Sequence, residues 1–145
     1  MPGPGGIIRL CPNAGLGMNL TSFLAVLVGG SLGSVLRWML GLALNPILPS
    51  LPLGTLAVNL SGGFIIGAAI GVFGHFQNLP PEWRLFVITG FCGGFTTFSA
   101  FSAETVTSLM RSEYGWSVAI VFAHVCGSLL MTMAGVALVR TLIES

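Results

Sequence analysis

Residues 53–74 read LGTLAVNLSGGFIIGAAIGVFG, an unbroken run from Leu53 to Gly74 without one charged side chain. The hydrocarbon core of a bilayer is crossed by about 20 predominantly apolar residues in helical form, so this run predicts a membrane-spanning helix. Three comparable runs surround it, near Leu20 to Leu44, Trp83 to Leu109 and Gly115 to Leu142. Turn-forming residues separate them: Asn45-Pro46 through Pro52, His75 through Pro81, and Arg111-Ser112-Glu113-Tyr114-Gly115. The runs are continuous instead of alternating with period two, which disfavours a β-barrel. The fold class read from this pattern is an all-α membrane protein with four spans.

Composition excludes most other classes. Of 145 residues 54% are hydrophobic and 6% charged, with a mean hydropathy of +0.95, whereas about a quarter of a soluble domain is charged. A water-soluble globule is ruled out. Five Arg and four Glu make up every formal charge, with no Lys and no Asp, so no basic patch exists to neutralise a run of phosphates and nucleic acid is not an expected partner. Cys11, Cys92 and Cys126 are odd in number and lack metal-ligand spacing, which supports neither a disulfide framework nor a zinc site. Residues 1–17 (MPGPGGIIRLCPNAGLG) are broken by Pro and Gly and hold too short an apolar core for a signal peptide. They read as a disordered or non-native extension with Met18 as the expected start, which leaves 18–145 as the membrane domain.

Four spans place both termini on one side. Arg84 and Arg140 then face the terminal side and Arg37 and Arg111 the other, a tally that fixes no orientation under the positive-inside rule. Either a short protein simply has few charges, or copies insert both ways and pair antiparallel. Gly63, Gly67 and Gly71 recur every four residues in the second span, as Gly29 and Gly33 do in the first. Such stripes let helix backbones approach in lipid, within one chain or between chains. Four helices hardly enclose a pore alone, so a channel or transporter of this size needs at least a dimer.

The third span carries the unusual chemistry. In Gly90-Phe-Cys-Gly-Gly-Phe-Thr-Thr-Phe-Ser-Ala-Phe-Ser102 two adjacent glycines and a run of small or hydroxyl-bearing residues interrupt the apolar pattern, and a break in the helix is expected there. Backbone that leaves the helix at this depth lines water, ligand or protein, because an unsatisfied carbonyl facing lipid costs several kcal/mol. Such carbonyls are good ligands for a small hard cation. Phe98 and Phe101, three apart, share a face once helix resumes and flank Ser99. Either they pack in the ordinary way, or their electropositive ring edges meet a partly dehydrated anion.

Polar groups in the other spans have two readings each. Asn59 lies four residues from both Thr55 and Gly63 and either bonds a neighbouring helix or offers a neutral donor to an anion. His124, Ser128 and Thr132 form an i, i+4, i+8 row on one face of the fourth span; hydroxyls there either bond their own helix or form a wet track. Arg37 is an interfacial anchor or a source of positive potential at an anion vestibule. Glu104, the one acid well inside a span, is a functional candidate by position, or else pairs with Arg37 or lies near an interface.

These residues resemble the Fluc (CrcB) fluoride channels, small four-span bacterial membrane proteins. The resemblance covers nearly all of 18–142 and rests on Gly33-x-x-x-Arg37, Gly54-Thr55-x-x-x-Asn59-x-x-Gly62 and, above all, the long motif from Gly90 to Phe101. It implies an antiparallel, dual-topology homodimer with two pores in the bacterial inner membrane, passive export of F⁻, and a structural Na⁺ at the dimer interface. By motif position Phe98 and Phe101 match the pore phenylalanines, with Ser99 between them, and Asn59 the pore asparagine. Gly93 and Thr96 match the positions whose backbone carbonyls hold Na⁺, Ser128 and Thr132 resemble the polar track, with His124 aligned by helical spacing, and Arg37 matches the vestibule arginine. Ala100 departs from the motif, which usually has Thr there.

Two other classes compete. A small proton-coupled exporter would share the four-span dimeric build and would use Glu104 as its titratable carboxylate. A structural subunit would use the glycines, phenylalanines and Asn59 for packing alone. No nucleophile with a neighbouring base is evident around His75 or His124, so an enzyme is not expected.

Overall fold

The structure, a computed structural model, describes residues 19–144. The expectations for 1–17, Met18 and Cys11 lie outside the described residues. Asn19 starts the first helix, α1 (Leu20–Leu44), by accepting from the Ser22 N–H at 2.7 Å, the usual way an exposed first turn is satisfied. A tight turn at Asn45–Ile47, in which Pro46 has no N–H to continue α1, leads to α2 (Leu53–His75).

The third span is built in pieces. It opens as α3 (Pro81–Arg84), with proline where its missing N–H is harmless, and widens into π-type winding over Leu85–Cys92. It tightens again as α4 (Gly93–Phe95). Thr96 and Thr97 then leave the helix, with φ, ψ of −77°, 158° and −149°, 111°, and α5 (Phe98–Met110) resumes it. The expected break spans the paired glycines and the small and hydroxyl-bearing residues that follow; Gly93 and Gly94 are helical, and the two extended residues are the threonines. The fourth span is α6 (Tyr114–Glu144). Four helical stretches among the described residues are long and apolar enough to cross a membrane: Leu20–Ile47, Leu53–His75, Pro81–Met110 and Tyr114–Ile143.

Close backbone contacts hold these helices together, and they account for the glycine stripes. A methyl group on Gly63 would lie 2.9 Å from the Ser128 carbonyl oxygen of α6, one on Gly67 would meet the Thr132 carbonyl, and one on Gly71 would lie 2.8 Å from Val139. A methyl group on Gly29 of α1 would likewise lie 2.5 Å from the Phe86 carbonyl oxygen, and one on Gly33 would meet that of Phe91. Both stripes are therefore used inside one chain, joining α2 to α6 and α1 to the first half of the third span. The enclosed core is small, with Val58, Cys92, Phe95, Phe101 and Ile120 among its members, while Leu27, Trp38, Phe98, Met110, Phe122 and Leu142 are exposed. So much outward apolar surface is unfavourable in water and suits lipid or a second copy.

Candidate functional site

The interruption in the third span is held by the second. Asn59 Nδ2 donates to the Thr97 carbonyl at 3.1 Å, and the Thr97 N–H donates back to Asn59 Oδ1 at 2.8 Å. In an unbroken helix that N–H would go to the Gly93 carbonyl, four residues earlier. The next turn is diverted as well: the Ala100 N–H, due to the Thr96 carbonyl, donates to Thr97 Oγ1 at 3.2 Å, so that Thr97 caps α5. Both amides that would complete helical bonds to the Gly93 and Thr96 carbonyls are spent elsewhere. Thr96 returns its own hydroxyl and N–H to the Cys92 carbonyl, each at 2.9 Å. Its methyl group fills the space where a side chain on Gly62 would stand.

Just past the interruption Phe98 and Phe101 meet edge to face, centroids 5.4 Å apart. Phe101 is buried, whereas Phe98 is 78% exposed, and Ser99 and Gly93 are exposed with it. The Ser99 hydroxyl lies 3.3 Å from Thr97 Oγ1. A ring, a hydroxyl and freed backbone thus occupy the outer face of one chain at mid-span.

A second polar group lies further along α5. Glu104 Oε1 accepts a hydrogen bond from Thr55 Oγ1 of α2, and its other oxygen is buried without a partner in the chain. The carboxylate takes Thr55, not Arg37, which is half-buried and forms no ion pair among the described residues. The buried His124 stacks against Phe101 at 4.8 Å. Its Nδ1 faces the Ile120 carbonyl at 2.9 Å, which places the proton on that nitrogen, and Nε2 is buried without a partner.

Of the row on α6, His124 meets Phe101 of α5, and Ser128 and Thr132 lie against α2. Thr132 Oγ1 donates to the Ser128 carbonyl at 2.9 Å; both residues press on Gly63, and Thr132 on Gly67. Asn59, Thr96, Phe98, Ser99 and Phe101 are thus gathered around one interruption, Thr55 and Glu104 are joined one step along, and Arg37 stands apart. Two residues that the sequence reading left without a role do much of the holding. Thr97 is both cap and clamp, signalled only by a hydroxyl residue just before helix resumes, and Asn45 caps α2 from a connection read as a turn. Among the described residues no three His, Cys, Asp or Glu gather as a metal site.

The family model described as CrcB-like protein, Camphor Resistance (CrcB) matches residues 24–136. The chain is 56% identical over 127 residues to the fluoride-specific ion channel FluC of Nitrosospira multiformis, covering 88% of this chain and 99% of that protein. It is 57% identical over 114 residues to the fluoride-specific ion channel FluC of Pseudomonas paraeruginosa, covering 79% and 90%. Over 116 residues it is 56% identical to that of Chromobacterium violaceum, covering 80% and 92%.

Proposed function

The chain belongs to the CrcB family, and from that premise we propose that it is a fluoride-specific ion channel, a passive exit for F⁻ that lowers the ion's toxicity. The observation that carries the reading is the juxtaposition of Phe98, Phe101 and Ser99 beside an interruption clamped by Asn59. Ring edges, hydroxyls and amides are neutral, so they replace part of the hydration of a small hard anion without trapping it as a fixed cation would. One N–H of Asn59 is used by Thr97, and an amide has a second to offer.

Each pore runs along an interface between two copies. Phe98 is exposed at mid-span in one chain, where a pore residue needs an opposing wall, and the balanced arginines impose no single orientation. An antiparallel dual-topology homodimer with two pores satisfies both, with Asn59, Ser128 and Thr132 of one copy facing phenylalanines of the other and Arg37 supplying positive potential at the vestibule. The freed carbonyls of Gly93 and Thr96 suit a structural Na⁺ at the dimer interface, a hard cation that prefers oxygen ligands. When bound, the ion would supply positive charge that stabilises the opened backbone; Asn59 and Thr97 keep those carbonyls out of helical bonds.

The test is ion efflux from liposomes holding the purified protein, read with a fluoride-selective electrode and repeated for chloride. Rapid F⁻ loss without Cl⁻ loss is expected. No anion loss from well-folded protein would overturn the reading. A second reading, proton-coupled export through Glu104, is favoured by its buried, half-partnered carboxylate; it requires proton-dependent transport that Glu104→Gln abolishes.

A further inference from the structure

The start of α2 is capped from outside the helix. Pro52 occupies the N-cap position and offers no side-chain acceptor, although first-turn amides at a membrane helix end need partners. Asn45, in the turn after α1, supplies one: its Oδ1 accepts from the Gly54 N–H at 2.8 Å and from the Thr55 N–H at 3.2 Å. Gly54 makes the approach possible, since a methyl there would lie 2.7 Å from both Asn45 Oδ1 and the Leu40 carbonyl oxygen. Thr55, held in this way, is buried and donates its hydroxyl to Glu104 on α5. A continuous chain of contacts therefore runs from the end of α1, through the first turn of α2, to the one carboxylate well inside a span.

We infer that Asn45 is a positioning residue for ion flux: by fixing the backbone of Thr55 it aims the Thr55 hydroxyl at Glu104 and so sets how the carboxylate is turned along α5. The inference rests on the channel reading. A carboxylate bonded to Thr55 presents less of its charge to a passing anion than one released from it, because the hydroxyl dipole offsets part of that charge. The side-chain bonds of Asn45 go to the Gly54 and Thr55 amides, so its effect on Glu104 passes through Thr55.

The experiment is F⁻ efflux from liposomes for wild type, Asn45→Ala, Asn45→Asp, Thr55→Val and Asn45→Ala with Thr55→Val. Loss of a side-chain cap predicts about a five-fold fall in flux for Asn45→Ala, and Asn45→Asp, which keeps the acceptor, is expected within about two-fold of wild type. In the Thr55→Val background Asn45→Ala should change flux by less than about two-fold, because the hydroxyl it positions is gone. A purely structural defect would instead multiply the two losses. Wild-type flux from Asn45→Ala, or an undiminished loss in the Thr55→Val background, overturns the inference. If Asn45→Ala does not assemble, Asn45→Gln, whose longer arm displaces the oxygen, carries the same comparison and the same criteria. A wild-type protein that carries no fluoride sinks the channel reading and the inference with it, whereas a conducting wild type with an indifferent Asn45 sinks the inference alone.

Discussion

Replacing Asn59 by Ala removes both bonds of the clamp, the 2.8 Å acceptor for the Thr97 N–H and the 3.1 Å donor to the Thr97 carbonyl. Each hydrogen bond contributes about 1 kcal/mol net, so the interrupted form loses about 2 kcal/mol relative to a continuous helix in which the Thr97 N–H returns to the Gly93 carbonyl. If only the interrupted form conducts, its ratio to the continuous form falls roughly thirty-fold, since 1.4 kcal/mol is a factor of ten, and flux falls with it once the continuous form dominates the variant. Loss of an amide donor to the anion adds to it. The assay is initial F⁻ efflux from liposomes at matched protein incorporation, judged by size-exclusion before reconstitution. Asn59→Ala flux within about two-fold of wild type, from protein that elutes as wild type does, would refute the claim that the clamp holds the conducting form, because two broken bonds cannot vanish from the balance.

Phe98→Ile should reduce F⁻ efflux by about ten-fold or more while leaving the protein folded, since an aliphatic side chain fills space without an electropositive edge; unchanged efflux would remove the ring's role. Replacing Na⁺ by N-methylglucamine in every buffer should lower the thermal midpoint of the purified protein in detergent by several degrees, roughly the effect of losing a specific ligand at 100 times its dissociation constant, and equal midpoints would count against a sodium site at Gly93 and Thr96. Gly67→Ala puts a methyl group into the Thr132 backbone and should destabilise the α2–α6 pair by about 1–3 kcal/mol, seen as a smaller folded fraction on size-exclusion.

Much of this architecture is legible in the sequence because lipid imposes a simple rule: backbone groups must be satisfied within a helix, and side chains must be apolar over a fixed length. The run from Leu20 to Leu44 coincides with α1, and that from Leu53 to Gly74 stops one residue short of the end of α2. The glycine stripes were visible but not their partners, since a period of four says that a face is smooth without saying what lies on it; the Thr132 and Phe91 carbonyls that fill Gly67 and Gly33 come from other spans. At the site, Asn59, Phe98 and Glu104 stood out as polar or aromatic groups in unusual company. Thr97 and Asn45 did not, because Thr97 bonds through its own backbone to a side chain 38 residues away and Asn45 accepts from a backbone amide 9 residues away, and such pairings leave no periodic trace. Glu104 was identified by type, while its choice of Thr55 over Arg37 depends on how α5 is aimed after the two extended threonines.

The reciprocal bonds between Asn59 and Thr97 also bear on biogenesis. The second span leaves the ribosome before the third, so Asn59 enters lipid with no partner for its amide, and the third span, entering alone, would expose the Thr97 backbone if it were already open. Each group is unfavourable in hydrocarbon by itself, and each satisfies the other. The third span is therefore best inserted as a continuous helix and opened on docking against the second. The opened segment is then a product of tertiary assembly inside the membrane, and a chain whose second span is delayed or misoriented would hold a closed third helix with its carbonyls bonded to itself.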